Sequence, residues 1–137
     1  MRPKLKLKAL CLQLFKLSSY FELTRPDLRI VETDTGAAYY PGERKITLPL
    51  YTGEKRSHEV RLLHEFAHYL AHSRTGKPQL HRLPFVEALW DVVMFWYGDP
   101  TLYPWHTDFV KVEKYALSRM KKEGYAVHTA RVDQVPR

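Results

Sequence analysis

The spacing of apolar residues changes several times along this chain, and each change marks an element. Leu10, Leu14 and Leu17 recur at helical spacing and predict a first helix over residues 8–23, which "TRPD" at 24–27 breaks. "LRIVET" (28–33) alternates and is β-branched, so it reads as a strand. Thr35-Gly36 is a turn, "AAYY" resumes extended structure, and "PGE" at 41–43 turns again. "KITLPL" (45–50) reads as another strand, with Pro49 marking its end or an edge position. A second helix runs from Ser57, a residue suited to an N-cap, to Arg74, with Gly76 beyond its end. Pro84 suits the first turn of a third helix over 84–97, which "GDP" stops. The aromatic loop "TLYPWHT" (101–107) leads to a last helix over 108–123, and residues 125–137 read as a flexible tail. This order predicts an α+β domain in which a small, mostly antiparallel sheet packs on a helical core.

At 137 residues the chain reads as a single domain spanning 1–137, long enough to bury a core. A hydrophobic share of 45% excludes disorder over most of it. The lone Cys11 excludes an internal disulfide and a cysteine-rich zinc site, and it fits a reducing, cytoplasmic setting. No run approaches the roughly 18 apolar residues of a membrane span, so no membrane partner is expected. Lys4, Lys6, Lys8 and Lys16 interrupt the apolar start, which therefore reads as a lysine-flanked helix and not as a signal peptide. The formal charge of +7 is scattered, without a compact basic cluster. A solvated basic surface is preferred to a nucleic-acid face.

The second helix carries the chemistry. In "LLHEFAHYLAH" (62–72), His64 and His68 are four residues apart and share one face of an otherwise apolar helix. Two imidazoles in that relation can bind one zinc ion, with Glu65 beside them as general base toward a zinc-activated water. The plain alternative is two satisfied histidines and a surface glutamate on an amphipathic helix. A third ligand is sought among His72, Glu87 and His106. His72 lies eight residues from His64, a rise of about 12 Å, so one ion cannot bind both. Glu87 and Asp91 are the ionisable groups of "LPFVEALWDVVMFWY" before Tyr97, again four apart. If that helix is buried all round, Glu87 needs compensation that zinc supplies, and Asp91 suits the free N–H of a ligand histidine. The competing reading makes the pair an exposed acidic edge. His106, in "WHTDF", is either packed with Trp105 or in contact with substrate.

HEFAH, followed after eighteen residues by Glu87 and then Asp91, resembles the gluzincin metallopeptidases, including the small minigluzincins. The resemblance covers residues 28–97. It implies His64, His68 and Glu87 as zinc ligands, Glu65 as general base and Asp91 as support for a ligand histidine. It also makes "KITLPL" similar to the rim strand on which such enzymes lay their substrate. No second large domain supplies an oxyanion-stabilising histidine, and His106, Tyr103, Tyr39 and Tyr40 are candidates for that role. "HTDFVKVEKYA" is similar instead to the SprT-like metalloproteases, whose third ligand is the histidine of that segment, here His106. The 37-residue gap from His68 is long for that family, and Thr107 stands where it has glycine, so Glu87 is preferred.

These observations predict a zinc-dependent peptidase acting on peptide or protein substrates. The alternatives are a non-catalytic or nucleic-acid-associated regulatory module with a metalloprotease fold, and a structural zinc domain with every position filled. Minigluzincins also look like zymogens, which implies a latent enzyme whose tail, through His128 or Asp133, covers the open zinc position.

Overall fold

The computed structural model describes residues 5–32, 37–51, 57–78, 80, 82–99, 102, 103 and 122. Along these the chain forms α1 (Leu7–Tyr20), β1 (Asp27–Val31), β2 (Ala38–Tyr40), β3 (Lys45–Pro49), α2 (His58–Thr75) and α3 (Leu83–Tyr97). This is an α+β fold. Of the last helix expected at 108–123, only Lys122 is described. The tail at 125–137, with His128 and Asp133, lies outside the described residues.

α2 is the centre of the molecule. Leu62, Leu63, Phe66, Ala67, Leu70 and Ala71 are buried on it and, at about 100° per residue, occupy half its circumference. Both its ends follow from local chemistry. Ser57 Oγ accepts the Val60 N–H at 3.3 Å, and Gly76 closes the last turn at φ 75 by donating its N–H to the His72 carbonyl. A side chain at position 76 would be strained by that left-handed backbone.

α1 buries Leu10, Leu14 and Leu17, the residues whose spacing predicts it, and Gln13 Nε2 donates to the Glu59 carbonyl at the start of α2. It stops at Tyr20, three residues before the expected end. Glu22 takes a left-handed φ of 55, and the Leu23 N–H turns back to the Ser18 carbonyl at 2.9 Å. That closure satisfies the last carbonyls without a glycine.

The sheet is mixed, in the order β1-β3-β2, with β1 parallel and β2 antiparallel to β3. The strand expected to form the substrate rim is therefore the central one, and the outer strand on that side is β2. β3 is central because Ile46 and Leu48 are fully buried in the core, and its end is tied to α2 by His58 Nε2 against the Pro49 carbonyl at 2.8 Å. The outermost position suits β2, a three-residue strand of half-exposed residues.

α3 lies along α2. It buries Phe85, Val86, Ala88, Leu89, Trp90, Val92 and Val93, which form one continuous arc when drawn at 100° per residue. Glu87, Asp91 and Met94 form the remaining stripe. Glu59 of α2 accepts from Trp96 Nε1 at 2.8 Å and from the Tyr97 hydroxyl at 3.3 Å, fixing the far end of the pair. No helix among the described residues is long and apolar enough to cross a membrane.

Candidate metal centre

His64, Glu65 and His68 each offer a ligand atom, and these atoms all lie within 4.8 Å of one another. The imidazole centroids are 5.0 Å apart, and His64 Nε2 is 3.8 Å from Glu65 Oε2. Ligand atoms around one tetrahedral zinc sit about 3.5 Å apart, so modest side-chain rotation closes this set around an ion. Two imidazoles and a carboxylate are donors that zinc accepts readily. The residues present therefore fit the metal that the sequence pattern implies.

The histidines are held from α3. Phe85, itself fully buried, stacks on His68 with centroids 4.2 Å apart and 30° between planes, and it meets His64 at 4.9 Å. An aromatic plate behind both rings limits their rotation and lowers the dielectric around them.

Glu65 is on the inner side of α2, with only 7% of its surface exposed. Burial pushes its carboxyl up to about 7, against the charge of Arg61 and a hydrogen bond from the backbone of Tyr39 in β2, both of which favour the ionised form. A carboxyl that binds its proton near neutrality can both take one up and give it back.

Two expected site residues lie elsewhere. Glu87 is exposed on α3 and does not belong to the His64, Glu65 and His68 group. It is two residues from Phe85, hence about 200° around the helix, so the face that meets the histidines cannot also present Glu87. Among the described residues, Asp91 likewise pairs with no histidine. Its Oδ2 accepts from Arg74 Nη1 at 2.7 Å, with both side chains more than a third exposed. The pair is the exposed acidic edge of an amphipathic helix.

Tyr103 is 1% exposed and packs edge-on to Tyr97 at 6.2 Å, so in this structure it presents no surface to a substrate. Tyr40 is exposed beneath Lys45, whose Nζ sits 4.7 Å above its ring. His106 lies outside the described residues.

Tyr39 is the aromatic that reaches the site. Its backbone meets Glu65, and its hydroxyl is 2.9 Å from His72 Nδ1. Burial raises the Tyr39 hydroxyl above its ordinary value, helped by neighbouring Tyr69 and opposed by Arg44. His72 stands one turn beyond His68, outside the three-residue group, as its distance from His64 requires. The sequence carried no signal for the Tyr39 contact, because it depends on where β2 docks against α2.

Comparison of the chain with protein-family models, with curated proteins and with solved structures finds no match.

Proposed function

We propose that this chain is a zinc-dependent peptidase whose metal is held by His64 and His68, with Glu65 as general base. The observation that carries the reading is the convergence of three donor atoms within 4.8 Å on a buried helix, one of them a carboxylate whose proton affinity burial has raised. Zinc held there supplies Lewis-acid polarisation of a carbonyl and acidifies water. The protein's own part is proton handling and exclusion of solvent. Glu65 accepts a proton from the attacking water at a carboxylate oxygen and returns it to the leaving amine. The Tyr39 backbone hydrogen bond holds that carboxylate in place, and Phe85 keeps the histidine rings in register.

The exposed position of Glu87 weighs against the gluzincin ligand set. His106 is then the other candidate for a third ligand. Loss of zinc on His106→Ala with zinc retained in Glu87→Ala is the expected result.

The activity test uses a casein or peptide library with added zinc, comparing the natural chain with Glu65→Ala. We expect cleavage to fall by about 10²–10⁴-fold with zinc content unchanged. Equal cleavage by the two proteins contradicts the assignment.

A further inference from the structure

We infer that the cleft beside the histidine pair is a subsite for a carboxylate carried by the substrate, read by Arg44. The inference rests on the peptidase reading for its use, although the site itself is defined without metal.

The cleft measures about 510 Å³ and is walled by the β2–β3 hairpin on one side and the last turns of α2 on the other, with Tyr39, Arg44, Tyr69, His72 and Ser73 among its lining. Its polar groups are mostly donors. The Arg44 side chain hydrogen-bonds the Tyr69 hydroxyl, which itself donates to the Thr24 carbonyl at 2.7 Å. A guanidinium has five N–H donors in a rigid fork, and the Tyr69 contact leaves most of them over. Among the described residues, no carboxylate lies within ion-pair distance of Arg44. The one acid on the cleft wall, Glu43, is bound to Lys45 Nζ at 2.7 Å. With Glu43 held by Lys45 from outside the cleft, the Arg44 charge has no acidic partner among the described residues.

His72 and Tyr39 add a further donor. A neutral imidazole and a phenol bring a proton each, and their mutual bond at 2.9 Å uses one of them. The other is left for a ligand.

The backbone at Arg44 has φ 47, in the left-handed region that long side chains enter at a cost. The four-residue hairpin demands that conformation, yet glycine or asparagine meets it with less strain. An arginine there aims its side chain along the α2 face.

Position links the cleft to the metal centre. His72 follows His68 by one turn, about 6 Å along the axis, and Tyr39 belongs to both places through its backbone and its hydroxyl. An extended peptide advances about 3.3 Å per residue. A carboxylate about two residues from the bond held at the histidines therefore falls in the cleft. It is either the chain's own C-terminal carboxylate or an acidic side chain.

The test measures binding of acetyl-alanyl-alanine, of its amide, and of acetyl-alanyl-glutamic acid α-amide to the full chain, by calorimetry, both zinc-loaded and with chelator. The free acid is expected to bind at least about tenfold more tightly than the amide, the size of a charge-assisted hydrogen bond. Arg44→Gln should abolish the difference without changing zinc content, and Arg44→Lys should keep part of it. If the glutamate α-amide binds as the free acid does, the subsite reads acidic side chains; if it binds as the plain amide does, it reads C-termini. Equal binding of acid and amide, no binding of either, or a preference that survives Arg44→Gln overturns the inference. Because the chelated protein is measured separately, a carboxylate preference in a chain that binds no zinc would sink the peptidase reading and leave the subsite standing.

Discussion

α2 and α3 pose the same question and answer it in opposite ways. Each carries a pair of ionisable residues four apart on one face, His64 and His68 in one, Glu87 and Asp91 in the other. In both, the pair lies on the least buried stripe of its helix. On α2 that stripe is covered by Phe85, which stacks on the rings. On α3 no aromatic ring among the described residues is stacked on the pair, and Asp91 pairs with Arg74 at the surface. A polar stripe becomes a site when a neighbouring element roofs it, and remains a solvated edge when none does.

The largest effect expected from breaking this contrast is at Phe85. Phe85→Ala removes the roof and leaves a core cavity, and it should cost about 3–5 kcal/mol in denaturant titration. Glu87→Ala on the open stripe should stay within about 0.5 kcal/mol. Similar losses from both would erase the distinction.

A second contrast concerns protonation. Folding raises the Glu65 carboxyl from 4.5 to about 7, so between those values the native state holds a proton that the unfolded chain has released. Stability of the metal-free protein should therefore fall as pH rises through that window, then level off. Glu65→Gln removes this contribution. With chelator present it should be more stable than the natural chain by about 3 kcal/mol at pH 8 and no more stable at pH 4. All other groups are common to the two proteins, so the difference between them isolates position 65. Parallel pH profiles would show that the carboxyl is not desolvated.

The smallest effect is expected at the exposed ion pair. Asp91→Ala should change stability by less than about 1 kcal/mol, and salt should shrink the difference further. A larger, salt-insensitive loss would mean that Asp91 supports the buried structure.

Much of this was legible beforehand, for local reasons. Ser57 and Gly76 bracket α2 where capping chemistry places them, and Pro84 and Gly98 do the same for α3. The His64, Glu65 and His68 group follows from helical geometry alone. What was not legible depends on tertiary packing. The seven buried residues of α3 leave a stripe just wide enough for Glu87, Asp91 and Met94, and a hydrophobic run alone does not distinguish that from burial all round. The central position of β3 follows from its pairing with both β1 and β2, and sequence order shows neither pairing. The Tyr39–His72 bond and the Arg44 cleft likewise arise only when the β2–β3 hairpin meets the end of α2.

The central claim is that the pair roofed by Phe85 binds metal and the exposed pair on α3 does not. Zinc content after equilibrium dialysis, measured on the natural chain and on His64→Ala, His68→Ala and Glu87→Ala, tests it directly. The account predicts a full equivalent of zinc in the natural chain and in Glu87→Ala, and little or none in either histidine variant. Zinc lost from Glu87→Ala, or kept by both histidine variants, would contradict it.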